Sequence, residues 1–289
     1  MSGSAASRIA GSLLVASLIL PAAGFSQDQP KPKVMPTPKA QPSPPLTAND
    51  VAEALVQALG GQPAWDHAHH ICFTFASARF HCWDKYTGNH RLEGQNQQGQ
   101  AFVVLENINT HEGTAYLNGQ PVPQDQLKAY LDGAFQAWTN DTYWLLMPYK
   151  LRDPGAKLDY AGSEELDGVR YEKLHLTFDN VGLTPKDQYW AYINPNTGLM
   201  ERWAFILQNQ DPNGAPSQWL WQGWQKYGDL MLAPTRVQVG GDGKIEFTNI
   251  TVASDLPDSV YNSPQPMAAA TPGQPQSGQQ QPPGQQQNQ

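Results

Sequence analysis

The stretch LMERWAFILQ, residues 199–208, contains two interleaved patterns that decide the fold. One set of alternate positions is strongly apolar and includes Trp203 and Phe205, whereas the other set is mixed and includes Arg202. A period of two is typical of a β-strand, whose side chains point alternately to the two faces of a sheet. The segment therefore predicts a strand with one face that must be covered.

Similar segments recur along the chain. Their connections include Asp167-Gly168, residues 194–198 and residues 240–243, which are rich in the Gly, Asn, Asp and Pro of hairpin turns. We therefore predict a mainly β, α+β fold with a large curved antiparallel sheet, or half-open barrel, of about 10–11 strands. The predicted strands are residues 71–76, 80–86, 101–108, 157–160, 169–178, 189–194, 199–208, 218–227, 230–239 and 244–252, with a short strand near Tyr116.

Two or three amphipathic helices are available to cover the concave face of that sheet. Thr47 and Asp50 resemble a capping box at the start of a short helix, which a pair of glycines ends. Asp141 is predicted to cap a separate turn that Pro148 ends. The clearest helix between them has one apolar stripe, formed by Leu127, Tyr130, Leu131, Ala134, Phe135 and Trp138.

The two ends of the chain differ in composition from its middle. Residues 1–26 have the apolar run and the small residues of a cleaved signal peptide, with an uncleaved anchor helix as the alternative. We predict a proline-rich linker at 27–46, a folded domain at 47–261 and a disordered Gln/Pro-rich tail at 262–289. No cysteine lies near the cleavage site, so we expect a periplasmic or secreted protein without a lipid anchor.

Charge and motifs exclude several classes of function. The formal net charge is −8 and no run of Lys or Arg occurs, so nucleic acid is a poor partner. The sequence contains no G-x-S-x-G nucleophile motif, no H-E-x-x-H metal motif and no glycine-rich phosphate loop. We therefore expect no catalytic residues and no cofactor, and we expect a monomer.

A histidine cluster at residues 67–70 is the strongest feature that favours an enzyme. If these residues continue into a strand, His67 and His69 point to the same side, as two metal ligands would. A third ligand would have to come from His81 or His90. A solvated junction between a helix and a strand is the alternative interpretation.

The chain has two cysteines, Cys72 and Cys82. They lie in segments that we interpret as the two strands of a hairpin with its turn near Ser77, where residues facing each other have numbers that add to the same value. In an exported protein this arrangement predicts a structural disulfide. A redox function is not expected, because a C-x-x-C motif is absent.

The aromatic content is high, with 9 Trp, 11 Tyr and 9 Phe. These side chains either form an ordinary core or line an apolar cavity between the curved sheet and its helices. The candidate cavity residues are Trp144, Leu145, Trp190, Tyr192, Trp203, Phe205 and Trp221.

Two segments carry a family resemblance. The sequences NDTYWLLMPYKL at residues 140–151 and NVGLTPKD at 180–187 resemble an uncharacterised family of bacterial exported proteins. The order of elements around them is similar to the LolA/LolB-like outer-membrane lipoprotein carriers. That resemblance implies a half-open barrel, covered by helices, that accepts acyl chains. No individual residue of those carriers matches a position here.

Taken together, these patterns predict a non-enzymatic periplasmic carrier that binds acyl chains, lipid or lipoprotein in an apolar cavity. One alternative is an envelope sensor or scaffold that binds a protein partner. Another is a metal-assisted envelope hydrolase that uses the cluster from His67 to His70.

Overall fold

The computed structural model describes residues 45–267, and the predicted signal peptide lies outside them. The described helices are α1 (Ala48–Ala58), α2 (Gly61–His67), α3 (Gln124–Leu146) and α4 (Ser259–Asn262), with a 3₁₀ turn at Met147–Tyr149. The strands are β1 (His70–Phe75), β2 (Arg79–Asp84), β3 (Asn89–Gln95), β4 (Ala101–Asn107), β5 (Glu112–Leu117), β6 (Gln120–Pro121), β7 (Ala156–Leu166), β8 (Val169–Phe178), β9 (Gln188–Ile193), β10 (Met200–Ile206), β11 (Ser217–Gln222), β12 (Gln225–Tyr227), β13 (Leu230–Leu232), β14 (Thr235–Gln238) and β15 (Lys244–Ala253).

Thirteen of these strands form one antiparallel sheet in the order β6-β5-β4-β3-β2-β1-β15-β14-β11-β10-β9-β8-β7. The sheet consists of two meanders that meet where β1 pairs with β15. It is not closed, because β6 and β7 are its two edges. The predicted mainly β fold with a large antiparallel sheet is confirmed, and β12 and β13 form a separate hairpin.

The topology explains why α3 crosses the sheet. This helix connects β6 to β7, which are opposite edges, so the chain must pass over one face to join them. A 23-residue helix is about 35 Å long, whereas thirteen strands laid flat would be about 58 Å wide. Curvature brings the edges closer and wraps the sheet around the helix. We call the face that packs against α3 the inner face and the other the outer face.

The alternation predicted for β10 is present, with one irregularity. Trp203 and Phe205 lie on the inner face, opposite Ala191 and Tyr189 of β9. The pairing shifts between Met200 and Arg202, which places Glu201 in a bulge. Met200 therefore also reaches the inner core, where it is fully buried.

The helices differ from the prediction in two places. The stripe at residues 127–138 and the turn at 142–147 belong mainly to one continuous helix, α3. Asp141 does not cap a helix; it lies inside α3 and is completely buried with ionic partners. The predicted capping box of α1 is present at Thr47 and Asp50. No helix of the described residues is long and apolar enough to cross a membrane.

The sequence analysis did not predict strand β3. It also predicted two continuous strands that are each divided into two in the structure. β3 carries His90, Arg91 and Glu93, which are all buried polar residues, so the apolar alternation that identifies a strand is weak there. The predicted strand at 218–227 is divided between β11 and β12. Similarly, the one at 230–239 is divided between β13 and β14.

The hairpin of β1 and β2 has the predicted register. Cys72 faces Cys82 directly across the two strands, and the two form the expected disulfide. The residues after 261 include Met267, whose backbone N–H donates to Glu93. The residues from 262 to 267, expected to belong to the tail, are therefore attached to the sheet.

The inner face holds two separate hydrophobic clusters. The larger lies under the C-terminal half of α3 and contains Trp144, Trp203 and Trp221. The smaller lies under the N-terminal half of α3, around Leu92 and Val104 of β3 and β4. Both clusters contact α3, and the larger one also contains Val51 and Leu55 of α1, so these two helices together cover the inner face.

Candidate functional site

The aromatic interior under the C-terminal half of α3 is the candidate binding site. Trp144 of α3 contacts Trp203 of β10 edge-to-face, with ring centroids 4.7 Å apart. Trp203 contacts Trp221 of β11 at 5.6 Å. On its other side, Trp203 stacks on Tyr189 at 5.5 Å. These contacts form a continuous aromatic layer between the helix and the sheet.

The structure brings together five of the seven predicted cavity residues. All five lie in the larger inner cluster: Trp144, Leu145, Trp203, Phe205 and Trp221. The other two, Trp190 and Tyr192, lie on the outer face. The reason is the period of two along β9, where Tyr189 and Ala191 take the inner positions.

No open apolar groove separates α3 from the sheet in the described residues. Trp203 is 1% exposed and Trp221 is 2% exposed, so the aromatic layer is closed to water. Two depressions of about 370 and 290 Å³ lie elsewhere on the surface, and no aromatic side chain lines either of them. The sequence predicted a partly filled interior, whereas residues 143–147 fill it.

The closed interior contains hydrogen-bond donors that have no partner among residues 45–267. They include the Tyr143 hydroxyl and the indole nitrogens of Trp203 and Trp221. Burial raises the pKa of Tyr143 well above its ordinary value, so the hydroxyl keeps its proton and is a donor. Each unpaired buried donor costs about 1–3 kcal/mol. An acceptor oxygen placed among these groups would recover that energy.

Arg236 of β14 is a functional candidate that the sequence analysis missed. Its guanidinium is fully buried and donates through Nε and Nη2 to the backbone carbonyl of Trp144, at 3.1 and 2.6 Å. It lies 3.3 Å from the centre of the Trp221 ring. Burial lowers the pKa of Arg236 well below its ordinary value. Among the described residues no carboxylate pairs with it.

A polar relay lies between the two inner hydrophobic clusters; we define it as Arg79, His81, His90, Glu106 and Asp141. Arg79 binds both carboxylate oxygens of Asp141, at 2.7 and 2.9 Å. The remaining links join Asp141 Oδ2 to His81 Nε2 at 2.9 Å, His81 Nδ1 to His90 Nε2 at 3.0 Å, and His90 Nδ1 to Glu106 Oε1 at 2.8 Å. The relay therefore connects α3 to β2, β3 and β4.

The hydrogen-bond pattern fixes most protons of the relay. Burial alone would raise the pKa of Asp141, but hydrogen bonds from His81 and Arg79 lower it to about 2. Burial lowers the pKa of His81 to about 4, although Asp141 opposes this shift. Neutral His81 then donates from Nε2 and accepts at Nδ1 from His90. A single proton remains to be shared between His90 and Glu106.

The histidines at 67–70 do not form a metal site. Helix α2 continues to His67, so the strand alternation expected for His67 and His69 does not arise. His67 binds Asp229 at 2.7 Å, His69 contacts the ring of Tyr86, and His70 binds the Tyr261 hydroxyl at 2.8 Å. The described residues contain no group of three or more His, Cys, Asp or Glu side chains that could hold a metal ion.

Comparison with known proteins gives likeness at the level of fold. No protein-family model matches the sequence, and no curated protein matches it. Three solved structures are similar at 10% identity. A DUF1329 family protein from Desulfovibrio piger has a TM-score of 0.41, over 75% of this chain and 97% of that chain. A LolA superfamily protein from Nitrosomonas europaea has a TM-score of 0.36, over 75% and 98%. A putative outer membrane lipoprotein-sorting protein domain from Vibrio parahaemolyticus also has a TM-score of 0.36, over 70% and 94%. The expected likeness to LolA-like proteins is therefore found, and it concerns the fold alone.

Proposed function

We propose that this protein is a non-enzymatic, exported carrier that holds an acyl chain, lipid or lipoprotein between α3 and the inner face of the sheet. In the described state α3 occupies that space. Binding therefore requires the helix to move away from the aromatic layer. The guest then contacts the side chains that α3 now covers, including Trp203, Phe205 and Trp221.

The observation that supports this proposal is the mismatch in polarity inside the closed interior. The Tyr143 hydroxyl and two indole nitrogens are donors without partners, and the Arg236 guanidinium has only backbone carbonyls as acceptors. A core selected only for stability would not retain several unpaired donors, because each is destabilising. An ester or carboxylate oxygen on a long apolar chain is the complementary group.

The energies are compatible with this exchange. Each CH₂ group transferred from water to an apolar site contributes about 0.8 kcal/mol, so a twelve-carbon chain gains roughly 10 kcal/mol. Part of this gain is consumed when α3 leaves its contacts. Acceptor oxygens of the guest that pair with the buried donors offset part of the cost of moving α3.

The hydrolase alternative has no support from the geometry, because the histidines at 67–70 bind separate partners.

Fluorescent fatty acid titrated into delipidated protein tests the proposal. We expect saturable binding by the unchanged chain. Substitution Tyr143→Phe keeps the ring and removes an unpaired hydroxyl, so we expect unchanged or higher thermal stability and at least fivefold weaker binding.

The matched control is Tyr149→Phe, whose hydroxyl donates to the carbonyls of Leu59 and Met231. This control should lose stability and keep its affinity. Absence of saturable binding by the unchanged chain contradicts the carrier. Equal affinities of the unchanged chain and the Tyr143→Phe variant contradict the role of the unpaired donors.

A further inference from the structure

The C-terminal strap, defined as residues 256–267, crosses the outer face of the sheet. Val260 is its anchor: it is 2% exposed and packs on the disulfide between Cys72 and Cys82. Leu256 and Tyr261 pack beside it. The strap thus covers an apolar patch on the opposite side of the sheet from α3.

Arg91 and Glu93 of β3 hold the strap through its backbone. Arg91 is fully buried and donates from Nη1 to the carbonyls of Val260 and Ser263, at 3.0 and 2.8 Å. Its Nη2 donates to the carbonyl of Gln265. Glu93 accepts the backbone N–H of Met267 at 2.7 Å and also accepts from Arg91 Nε. The contacts of Arg91 and Glu93 therefore fall at positions 260, 263, 265 and 267, in a segment that bends at Gln265.

The alternate positions of this segment are Pro264 and Pro266. Proline has no N–H and a fixed φ, which favours an extended, polyproline-like chain with its carbonyls free to accept. Arg91 and Glu93 contact the carbonyls of residues 260, 263 and 265 and the N–H of residue 267, so the site uses no N–H at positions 264 and 266 and accepts proline at both. The strap side chains that follow Tyr261 contribute little: Asn262, Gln265 and Met267 are exposed.

The strap is built to be displaced. The segment that joins it to β15 is exposed at Ser254 and Asp255, and the first turn of the strap is exposed at Pro257 and Asp258. Departure of the strap leaves the Arg91–Glu93 ion pair intact, so no buried charge loses its counter-ion. It also uncovers the apolar patch around the disulfide, which is the type of surface that anchors a peptide.

We propose that the Arg91–Glu93 pair and the patch around Cys72–Cys82 form a docking site for an extended, proline-containing segment of a partner protein. In the absence of that partner the strap occupies the site. The partner segment has an apolar residue at the position of Val260, followed by P-x-P at the positions of Pro264 and Pro266.

Any segment that replaces the strap must compete with it for the site. A tethered segment acts at an effective concentration in the millimolar range. A second copy of this chain offers the same strap at a far lower concentration, so it cannot compete. A longer partner segment has one further contact available, because the partly exposed Tyr116 of β5 lies in the same outer-face row as Glu93. Tyr116 supplies an aromatic ring of the kind that binds proline.

The test uses a fluorescein-labelled peptide with the sequence of residues 256–267 and the full-length protein. Val260→Asp in the protein removes the anchor of its own strap. We expect saturable peptide binding with an affinity at least tenfold higher for this variant than for the unchanged protein. A peptide with Met267→Pro lacks the N–H that Glu93 accepts and should bind at least fivefold more weakly. Adding Arg91→Lys to the variant should abolish binding.

A second measurement uses the native disulfide as a reporter and does not depend on the folding of the Val260→Asp variant. Dithiothreitol reduces Cys72–Cys82 only when the strap has left. Leu92→Ala destabilises the smaller inner cluster and so lowers global stability. If the strap opens without global unfolding, this substitution leaves the rate at which dithiothreitol reduces the native disulfide unchanged. A rate that rises in proportion to the loss of global stability overturns the proposal. Equal binding of the two peptides, or a strap-exchanged dimer on size-exclusion chromatography, also overturns it.

Discussion

The two halves of α3 pack very differently against the same sheet. In the C-terminal half, Trp144, Leu145 and Leu146 are all buried in the large aromatic cluster. In the N-terminal half, Leu127 and Leu131 are only partly buried against the smaller cluster. The polar relay lies between them.

This difference indicates that the C-terminal half of α3 is held firmly against the sheet and that its N-terminal half is held loosely. Regions with few buried apolar contacts open at a lower free-energy cost than the core. The N-terminal half is therefore expected to leave the sheet first. The ion pairs of Asp141 and the hydrogen bonds of Arg236 to Trp144 hold the C-terminal half in place. The proposed guest would therefore reach the aromatic layer only after the relay has been broken.

Removal of the Asp141 carboxylate should cause the largest loss of stability among the substitutions that compare the two halves of α3. Asp141→Ala leaves His81 and Arg79 without their partner, and loss of one member of a buried ion pair costs about 3–5 kcal/mol. Urea unfolding measures the loss. Asp132→Ala is the control on the same helix, because the exposed pair of Asp132 with Lys128 should contribute no more than about 0.5 kcal/mol. Similar losses for the two variants would contradict the role of the relay.

The relay also predicts how stability depends on pH. An unfolded histidine has a pKa of about 6.5, whereas the pKa of His81 in the folded state is about 4. The unfolded state therefore binds the proton first, and the free energy of unfolding falls as the pH decreases from about 6.5 to about 4. The total loss is on the order of 3 kcal/mol. Asp141, whose pKa is lowered to about 2, adds a further loss below pH 3.8.

His81→Gln can keep both hydrogen bonds and does not titrate, so the slope between pH 6.5 and 4 should become shallower. Urea unfolding at a series of pH values measures this slope. His175→Gln, on the outer face, should retain the slope of the unchanged protein. An unchanged slope in the His81→Gln variant would show that another group is responsible.

A pair of leucine substitutions compares the two halves directly. Leu145→Ala removes a side chain that is 1% exposed and should cost about 3 kcal/mol. Leu131→Ala removes a partly buried side chain from the same helix and should cost about 1 kcal/mol. Thermal or urea unfolding measures both. Equal costs would mean that the helix is packed uniformly and has no loose end.

The sequence predicted the parts of the fold that depend on apolar periodicity and pairing. The alternation around Trp203 identified β10, and the stripe that includes Leu127 and Leu131 identified α3. The register of Cys72 with Cys82 followed from the position of the turn. These signals are local, so they can be found without knowledge of the tertiary structure.

The polar part of the candidate site could not be predicted in the same way. His90 and Glu106 are buried because strand pairing places them side by side on the inner face, and a polar residue alone does not indicate burial. Arg236 stands between Thr235 and Val237 like an exposed strand residue. Only its register with Trp221 places it on the inner face. Trp190 was predicted to line the cavity because it is aromatic, but the alternation of side chains along β9 places it on the outer face.

A cross-link between the N-terminal half of α3 and the sheet tests whether the helix must open to admit a guest. Phe102 of β4 and Tyr130 of α3 contact each other with ring centroids 6.4 Å apart, so cysteines at both positions can be joined by a short bismaleimide. The chain has 2 cysteines of its own, and both are in the disulfide. The control is a cross-link between Lys157→Cys and Thr177→Cys, which face each other on β7 and β8 at outer-face positions.

Fluorescent fatty acid is then titrated into the cross-linked and the untreated protein. We predict at least tenfold weaker binding after cross-linking of α3 to β4, and unchanged binding after cross-linking of β7 to β8. Equal affinity of the α3-linked protein and its untreated form would contradict the claim that α3 must open to admit the guest.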